Sequence, residues 1–381
     1  MALQTELHIT LNNSYKIPQT ILQSFTLSFS FDFLPYGMIE ISDAGSLLQE
    51  FPQLQVGSLF NYYTKDTNGN TYTSLIKYVV LYIEDQIEEF GTGKGTMKIY
   101  FGHPWYLYKN TTGEAYDAQL ASKVIKNVIE DDSRGLAFST GTWEESDGNA
   151  KPWFKFGCSD LEFVRMVLAK TTIGGFPSYL FCDQDGKFNL TCLHTMMNNT
   201  PYVLANTQHG KEIDNLGNTL TISVTSGPLT IGLDDPTAYK RYLAAEDKTN
   251  GTMAKGFMLP RAGAKKDLMP IDKTYLQAAG AGSFVAVKNE CMSDALSVAN
   301  NKSRDCDKIF FMKAKCNYNT DLKIGQTVFF NSPDNTLNGT WVIAAMTTTL
   351  STNSGMELTL IRNKFYEKGA MKYSSKLFEV V

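Results

Sequence analysis

Two glycine-rich segments are the first places in this sequence where a phosphate group could bind. Gly91–Thr96 reads Gly-Thr-Gly-Lys-Gly-Thr, but a phosphate-binding loop needs four residues between its first Gly and Gly-Lys, followed by a helix. A strand-like run, Met97–Phe101, follows instead, so we predict a tight hairpin turn. Gly280–Gly282 lacks the third glycine of a dinucleotide-binding fingerprint and leads into Phe284–Val287, which favours a flexible turn.

Three groups of carboxylates could bind a metal ion or act on a sugar. Asp183–Gly186 reads Asp-Gln-Asp-Gly, which has the opening acidic residues of a calcium loop without its other ligands. We predict a solvated hairpin turn there. The pairs Asp131–Asp132 and Glu144–Glu145 are adjacent in sequence, and adjacent carboxylates define no fixed separation across a glycosidic bond. We therefore interpret both pairs as surface charge.

The histidines and tryptophans are the remaining side chains that could take part in catalysis or ligand binding. The four histidines show no HExxH motif or i, i+4 pair, and no nucleophile elbow accompanies them: His8, His103, His194 and His209. The four tryptophans could form a carbohydrate platform, although packing in a core or an interface is their commoner use: Trp105, Trp143, Trp153 and Trp341. The sequence therefore predicts no catalytic residue, no cofactor and no metal ligand.

Composition and charge argue against several broad classes of protein. A hydrophobic content of 43% and a charged content of 19% are typical of folded globular proteins, and 381 residues predict two to four domains. The net charge is -4, and its 35 basic and 39 acidic residues are scattered, so we expect no specific nucleic-acid binding. Apolar stretches such as Tyr78–Ile83 fall far short of the ~20 residues of a membrane-spanning helix, so we expect no membrane insertion.

The first residues and the cysteines both indicate a protein made and kept in a cytoplasm. Met1–His8 has no basic segment followed by an apolar one, so we expect no signal peptide. The six cysteines form no CxxC motif and no Cys/His cluster. We interpret them as small buried or half-buried apolar residues rather than disulfides: Cys158, Cys182, Cys192, Cys291, Cys306 and Cys316.

The N-terminal third has the pattern of short antiparallel strands. Ser24–Phe33 alternates apolar and polar residues without a break, which predicts a strand with one buried and one wet face. Turn residues separate the other runs, at Pro35–Gly37, Asn68–Gly69 and Gly91–Gly95. Several strands joined by hairpins suggest a barrel or a sandwich.

The pattern changes near Lys109–Gly113, where a new domain is predicted to begin. Leu120, Val124 and Val128 recur at helical spacing with Ala121, Ile125 and Ile129 beside them, and Lys123, Lys126 and Asn127 lie on the other face. Ser159–Glu162 has the spacing of a capping box at the start of a second helix. Two alternating runs in Ser178–Cys192 flank Asp185–Gly186 and predict a hairpin, which makes the middle domain a small α/β unit.

The β pattern returns at Asn218, but the following stretch is harder to interpret. Residues 234–282 are rich in Gly, Ala and Lys with weak periodicity, and we predict a long loop or an arm. A short helix is predicted around Asp294–Asn301. Strands are then predicted at Phe310–Cys316, Gln326–Phe330, Trp341–Thr347 and Met356–Ile361.

The two β-rich ends match each other in order and character. In the first, Gln55–Phe60 is followed by Tyr78–Val80 and Gly95–Phe101. In the last third the corresponding segments are Lys323–Phe329, Trp341–Ile343 and Gly355–Ile361. Both series have a β-branched residue before a glycine, an aromatic residue opening a strand, and a final strand led by glycine. The match predicts an internal repeat, although any two antiparallel meanders look partly alike.

These same residues resemble a known family. Leu322–Phe329, Leu337–Ile343 and Leu358–Asn363 resemble the closing barrel of the baseplate hub proteins of contractile-tailed phages and of the hub portion of type VI secretion spike proteins. The predicted helix, the Ser159–Glu162 helix start and the Asp183–Lys187 hairpin resemble the α/β insertion of that family. The resemblance covers residues 1–110, 115–195 and 310–365, and residues 234–290 have no counterpart in it.

The resemblance implies a fold and a domain division. The fold is mainly β with an α/β insertion, in which two tandem pseudo-equivalent β-barrels flank a small α+β domain. The expected domains are a first hub β-barrel at 1–110, the insertion at 111–206, a second hub β-barrel at 207–365 with an irregular insertion at about 234–290, and a C-terminal tail at 366–381. Tyr366–Val381 alternates charged and apolar groups, and we expect the tail to pack on a neighbouring subunit.

The resemblance also implies a role in a virion tail or baseplate that assembles in the host cytoplasm. Three copies with two barrels each would form a pseudo-sixfold ring with a central channel, joining the hexameric tail tube to a trimeric spike or tail tip. Other baseplate proteins and the tape-measure protein are further expected partners. The end of the chain at Val381 favours a separate hub subunit without a needle.

Two other function classes stay open at this point. The first is a tail-associated cell-wall hydrolase that would act through one of the carboxylates named above. The second is a distal tail protein or adhesin that would bind host glycans through exposed aromatic side chains. We expect a structural protein rather than an enzyme.

Overall fold

The structure is a computed structural model. It describes residues in the predicted N-terminal β region, the α/β middle region and the second β region. The described residues are 6–31, 34–43, 54–65, 71–87, 95–174, 176–208, 211–213, 219–220, 241–247, 252–258, 283–287, 310–316, 318–331, 339–351 and 355–362. The short helix predicted at 294–301 and the tail at 366–381 lie outside them, as do His209, Gly280–Gly282, Cys291 and Cys306.

The N-terminal β region (residues 6–102) consists of eight described strands. They are β1 (Glu6–Leu11), β2 (Tyr15–Ile17), β3 (Leu22–Ser30), β4 (Tyr36–Asp43), β5 (Leu59–Lys65), β6 (Thr71–Thr73), β7 (Tyr78–Ile87) and β8 (Gly95–Gly102).

The middle region (residues 104–197) contains all of the described α-helices. Its strands are β9 (Glu114–Gln119), β10 (Thr140–Trp143), β11 (Lys151–Lys155), β12 (Thr172–Ile173), β13 (Phe176–Cys182) and β14 (Phe188–Cys192). Its α-helices are α1 (Ala121–Glu130), α2 (Asp160–Leu168) and α3 (Leu193–Met197), and its 3-10 helices are Pro104–Tyr106 and Asp132–Arg134. No described helix has the length and apolar character needed to span a bilayer.

Ten described strands follow the middle region. They are β15 (Tyr202–Gln208), β16 (Lys211–Ile213), β17 (Thr219–Leu220), β18 (Arg241–Asp247), β19 (Thr252–Met258), β20 (Ser283–Val287), β21 (Phe310–Cys316), β22 (Thr327–Asn331), β23 (Gly339–Leu350) and β24 (Gly355–Arg362). We call residues 310–362 the C-terminal β region.

One fifteen-stranded sheet contains strands of both β regions. Its order is β17-β16-β15-β22-β23-β3-β4-β8-β7-β5-β1-β2, with β6 on β5, and β24 on β23 with β21 on its other side. The predicted mainly β fold with an α/β middle is confirmed. Closure into two separate barrels is not seen among the described strands, because β23 pairs with β3 and makes the two regions one sheet.

β3 is paired on both edges within this sheet and buries one face of its side chains. Phe25, Leu27 and Phe29 are at most 3% exposed, whereas the alternate residues Thr26 and Ser28 remain partly accessible. The alternation follows from the two-residue period of a strand, which sends successive side chains to opposite faces. Each such buried side chain contributes roughly 1.5–3 kcal/mol of transfer free energy.

The strands on both sides of the predicted N-terminal hairpin turns are paired. β5 meets β6 with Lys65 opposite Thr71, around the predicted Asn68–Gly69 turn. β7 meets β8 with Ile87 opposite Gly95, around the predicted Gly91–Gly95 turn. The tips of both turns lie outside the described residues. The strand that follows Gly95 confirms that this segment does not begin a phosphate-loop helix.

The apolar stripe predicted for the first helix is confirmed in α1. Val124, Ile125, Val128 and Ile129 are at most 2% exposed, and α1 packs against α2. The periodicity places these residues on one face because 3.6 residues make one helical turn.

α2 begins with the predicted capping box. The Ser159 hydroxyl accepts a hydrogen bond from the Glu162 backbone N–H at 3.3 Å. The Glu162 carboxylate accepts one from the Ser159 backbone N–H at 2.8 Å, which lowers the pKa of Glu162. Two backbone donors that a helix cannot satisfy internally are thus both bonded.

Replacing Ser159 with Ala is expected to lower the free energy of unfolding by about 1 kcal/mol, because one of these bonds is lost. Thermal or urea unfolding measures the loss. Ser159→Asp restores an N-cap acceptor and serves as the control, so equal destabilisation by both substitutions would contradict the capping role.

The segment predicted as a loop or arm contains regular strands. β18 pairs with β19 in antiparallel register from Arg241–Met258 to Asp247–Thr252, and with β20 in parallel register. These strands form a separate three-stranded sheet. The prediction was wrong for residues 241–247 and 252–258, where backbone pairing forms despite the weak periodicity of the side chains.

Candidate assembly site

The two β regions share one strand arrangement, residue by residue. In the first, Leu59 lies opposite Val79 where β5 meets β7. In the second, Thr327 lies opposite Val342 where β22 meets β23. Each central strand then pairs along its other edge with the next strand, β8 or β24. The repeat predicted from the sequence is therefore present in the strand pairing.

The turns that lead into these meanders match even in their backbone hydrogen bonds. The Gly57 N–H donates to the Val80 carbonyl at 2.8 Å, and the Gly325 N–H donates to the Ile343 carbonyl at 2.9 Å. Both glycines have positive φ, 91° and 77°. This left-handed conformation favours glycine and explains why both sequences place glycine before the strand.

The final strands correspond through their pairing with the central strands. Val80 lies opposite Phe101 and Ile343 lies opposite Leu360, so Phe101 corresponds to Leu360. The sequence matched the segments Gly95–Phe101 and Gly355–Ile361 by order and character, and the strand pairing adds the residue-level correspondence, in which the two leading glycines are offset by one residue.

The same irregularity of register interrupts both meanders. In β7 it falls between Val80 and Tyr82, and in β23 it falls between Ile343 and Ala345. A bulge bends a strand and re-aims the residues beyond it. The two central strands therefore change their register at equivalent positions. By this correspondence, Tyr82 is equivalent to Ala345.

The two β regions are joined along a seam between β3 and β23. Ala345–Leu350 pairs antiparallel with Phe25–Ser30. The Ser28 and Thr347 hydroxyls are 3.1 Å apart across this seam. A second contact joins the regions away from it, where the Thr64 and Tyr318 hydroxyls lie 2.6 Å apart in a buried position.

The predicted β13–β14 hairpin is confirmed, and Asp183 organises its turn. One Asp183 carboxylate oxygen accepts the backbone N–H groups of Asp185 and Lys187, both at 2.9 Å. The other oxygen accepts the Asn189 side-chain amide at 2.9 Å. Because these bonds use both oxygens to shape the turn, the arrangement favours the turn interpretation over a calcium loop.

The tip of this hairpin lies between the two β regions. The Tyr72 hydroxyl donates to the Gln184 carbonyl from the N-terminal side. From the C-terminal side, the Ile324 N–H donates to the Gln184 side chain at 3.2 Å, and Lys323 pairs with Asp185 at 2.8 Å. Gln184 is 6% exposed, so this is a buried contact rather than the solvated turn that the sequence predicts.

The hairpin strand β13 also packs tightly against both β regions. The ring of Phe181 lies 4.9 Å from that of Phe31. A Cβ atom added to Gly325 would stand 2.5 Å from the Phe181 ring, whereas one added to Gly57 would meet no atom within 4 Å. The repeat is therefore asymmetric here, because the middle region covers only the second turn. We call the contacts of residues 181–187 with the two β regions the hairpin junction.

His103 joins the N-terminal β region to the middle region through packing rather than chemistry. Its ring lies 4.5 Å from that of Phe138 and 5.4 Å from that of Phe188. The side chain is 1% exposed, and burial lowers the pKa of His103 from 6.5 to about 3. His103 is therefore neutral at pH 7, and its Nδ1 accepts the Trp105 backbone N–H at 3.3 Å.

This histidine predicts a specific loss of stability in mild acid. Below pH 6.5 the unfolded chain binds a proton that folded His103 excludes down to about pH 3. The free energy of unfolding should therefore fall by up to about 1.4 kcal/mol per pH unit as the pH decreases through this window. His103→Asn keeps a side-chain acceptor and removes the titration, so urea unfolding at several pH values should show a shallower dependence. An unchanged pH dependence would contradict the burial of a neutral His103.

The other histidines do not form a site in the described part of the chain. His8 is exposed and lies 5.5 Å from Tyr63, and His194 is exposed and stacks on Phe176 at 4.9 Å. Among the described residues, no group of three His, Cys, Asp or Glu side chains could hold a metal ion.

The candidate acidic pairs are divided between capping and exposed positions. The Glu144 carboxylate accepts hydrogen bonds from the Cys192 N–H at 3.4 Å and the Thr195 hydroxyl at 2.8 Å, at the start of α3. Asp131 accepts the Ser133 N–H at 3.0 Å. Their neighbours Glu145 and Asp132 are exposed. The surface-charge prediction is thus confirmed for Glu145 and Asp132, whereas Glu144 and Asp131 also accept hydrogen bonds from backbone N–H groups.

The tryptophans and cysteines are mainly packing residues. Trp105, Trp153 and Trp341 are at most 9% exposed, and Trp143 is half-buried. Cys182, Cys192 and Cys316 are buried and Cys158 is half-buried, and all four are free thiols. The core interpretation is confirmed for these described residues.

One buried charge cluster was missed by the sequence analysis. Lys155 is 1% exposed and forms an ion pair with Asp160, whose other oxygen accepts the Asn110 amide at 3.3 Å. Glu114 lies 3.7 Å from the Lys155 Nζ atom and accepts the Tyr116 hydroxyl at 2.6 Å. The two-residue period of a strand could have predicted the burial of Lys155, because it places Lys155 on the same inward face of β11 as Trp153.

Solved structures share this fold over nearly the whole chain. A 43 kDa tail protein of prophage MuSo2 from Shewanella oneidensis is 11% identical, with a TM-score of 0.61 over 94% of this chain and 98% of that one. A tail protein from Neisseria meningitidis MC58 is 9% identical, with a TM-score of 0.60 over 95% of this chain and 98% of that one.

A third similar structure comes from a secretion system. This Escherichia coli protein is described as a component of the type VI secretion system with structural similarity to T4 bacteriophage tail proteins. It is 9% identical, with a TM-score of 0.53 over 95% of this chain and 80% of that one.

The TM-scores and the coverage of these superpositions establish a common fold. No protein-family model and no curated protein matches the sequence. The resemblance inferred from the order of the sequence motifs is confirmed at the level of structure. The chain therefore has the fold that phage tail proteins share with a component of the type VI secretion system.

Proposed function

We propose that this chain is a structural subunit of a phage tail or of a related injection apparatus. The observation that carries the proposal is the pair of matched β regions joined in one sheet, with the same turn glycines, Gly57 and Gly325, and the same register shift in β7 and β23. The similarity to tail proteins over the whole fold supports it.

The finer proposal is a hub that adapts one symmetry to another. Three copies, each with two equivalent β regions, present six similar units in a ring, which matches a hexameric tail tube on one side. The three subunits also match a trimeric spike or tail tip on the other side. A head-to-tail interface forms a closed ring of identical contacts when its rotation closes. The expected domains are those predicted from the sequence: 1–110, 111–206, 207–365 and a tail at 366–381.

The hairpin junction suits this role because a symmetry adapter must hold its two units in a fixed relation. Gln184, Asp185 and Phe181 contact the C-terminal side, and Tyr72 reaches the same turn from the N-terminal side. The two hydrogen bonds of Gln184 are costly to break, since each loss would leave a polar group of this buried residue unpaired, whereas the Lys323–Asp185 pair is partly exposed to solvent. The middle region thus acts as a brace rather than as a catalytic domain.

The absence of a basic block in the sequence agrees with a channel through which DNA or a tape-measure protein passes. The net charge is -4, and a channel that released counterions to bind phosphates would retain DNA. In this proposal the chain carries no catalytic activity and resides in the virion tail or baseplate.

Native mass spectrometry and electron microscopy of the purified chain, alone and coexpressed with the tail tube protein of the same tail, test the proposal. We expect a trimer whose ring shows six similar units and which binds the end of the tube. A chain that stays monomeric with the tube protein and does not copurify with it would overturn the hub. Muralytic activity lost on substitution of a single carboxylate would instead favour the hydrolase.

A further inference from the structure

The two matched strands β7 and β23 differ in what lies along one edge. In β23, residues 345–350 pair with β24 on one side and with β3 on the other. In β7, the corresponding residues 82–87 pair with β8 on one side. No described strand pairs with the other side of residues 82–87. Thus β3 lies along this edge of β23, and among the described residues no strand lies along the equivalent edge of β7.

The backbone groups that face this open edge follow from the ladder of the second half. The Phe31 N–H donates to the Ala344 carbonyl at 3.0 Å, and antiparallel bonds to one neighbour recur at every second residue. Residues 344, 346, 348 and 350 therefore face β3. By the correspondence of Tyr82 with Ala345, residues 81, 83, 85 and 87 of β7 present their N–H and C=O groups to the open edge.

Side-chain burial shows the same difference between the two strands. Met346, which pairs with Phe29 of β3 and also contacts the Gln184 side chain, is 4% exposed, whereas its counterpart Ile83 is only partly buried. Tyr82 is 57% exposed at the position of Ala345. Residues 82–87 contain neither Pro nor Lys, the two residues most used by natural edge strands to prevent further pairing, and their charged residues are Glu84 and Asp85. An edge with these features is a template for another strand.

We propose that this edge of β7, residues 81–87, accepts a strand from a second copy of the same chain, repeating between subunits the relation that joins β23 to β3 within one subunit. The inference rests on the proposed ring and names the strand through which the ring closes. β3 itself is bonded on both edges, to β4 and to β23, so the added strand comes from another part of the second copy. Such a contact joins two different surfaces and propagates head to tail, as ring closure requires.

Residue-resolved hydrogen exchange on the full chain, below and above the concentration of self-association, tests the contact. On assembly, the backbone amide hydrogens of Ile83 and Asp85 should exchange with solvent at least about tenfold more slowly than in the monomer. The amides of Tyr82 and Glu84 serve as internal controls, because they face β8 and should be protected at both concentrations.

A pair of substitutions supplies the independent test. Tyr82→Lys places a charge beside the incoming strand, and Leu75→Lys places the same charge at a residue that is 66% exposed outside the edge. Both side chains are exposed, so both variants should fold. Tyr82→Lys should raise the midpoint concentration of assembly about tenfold or more, and Leu75→Lys should leave it near that of the wild type.

The outcomes separate this contact from the proposed function. A trimer whose Ile83 and Asp85 amides exchange as fast as in the monomer overturns the contact and leaves the hub intact. A two-fold dimer protected at β7 overturns the head-to-tail relation. A chain that stays monomeric at its highest soluble concentration also overturns the contact, and binding to the tail tube then decides the hub separately.

Discussion

Replacing Lys155 with Met is expected to lower the free energy of unfolding by about 3–5 kcal/mol, because it leaves the Asp160 carboxylate buried without its cation. Asp160 is 2% exposed and Lys155 is 1% exposed, so water cannot replace the lost partner. Met keeps the length and the apolar stem of Lys, which limits the change in packing. Urea unfolding of the full chain, followed by circular dichroism, measures the loss.

Lys126→Met is the matched control for this prediction. Lys126 pairs with Glu130 at 3.9 Å across one helical turn of α1, but both side chains are 41% exposed. Its loss should cost about 0.5 kcal/mol or less. The double variant Lys155→Met with Asp160→Asn removes the uncompensated charge and should recover part of the stability. Equal effects of the Lys155 and Lys126 substitutions would show that burial does not govern the pair.

Gly325→Ala is expected to destabilise the chain by about 2–5 kcal/mol, whereas Gly57→Ala should cost only about 1–2 kcal/mol. Both glycines have positive φ, so both substitutions strain the backbone. Only at Gly325 would the new Cβ stand 2.5 Å from a ring, that of Phe181. The difference between the two variants therefore reports the packing of the hairpin junction against the second β region.

Thermal unfolding of the two glycine variants, together with Gly325→Ala in a Phe181→Leu background, checks this expectation. The smaller side chain at 181 should relieve part of the clash and bring the two glycine substitutions closer in cost. Identical losses for Gly57→Ala and Gly325→Ala would mean that Phe181 does not press on the turn. That result would contradict the proposal that the hairpin junction holds the two β regions in a fixed relation.

The sequence alone determined the elements whose signals are local. The alternation in β3 predicted its buried face, the Ser159–Glu162 spacing predicted a capping box, and the run around Asp185–Gly186 predicted a hairpin. Each of these signals depends on residues within one strand, one turn or one helical turn. The order of such elements also carried the resemblance to a known family, and that resemblance implied the fold shared with tail proteins.

Sequence periodicity failed where pairing or packing depends on distant residues. Residues 241–247 and 252–258 were predicted as part of a loop or arm, and their strands became evident only from backbone pairing. The sequence matched the last strands of the two β regions only by order and character, and their residue-level correspondence became evident from the pairing of Val80 with Phe101 and of Ile343 with Leu360. Hydrophobic pattern and turn geometry set the register of a strand pair, so a correspondence between two regions requires both pairings to be known.

Only the tertiary structure decided how the two β regions are held together. Ser28 meets Thr347 across 319 positions of sequence, and Gln184 enters a buried junction with Ile324 although its turn reads as solvated. Such contacts require the middle region to fold back between the two ends, and no local pattern encodes that path. The sequence by itself thus determined two similar β units and an α/β insertion. The tertiary structure decided that they form one sheet, braced by a hairpin, with one strand edge covered in β23 and open to the described chain in β7.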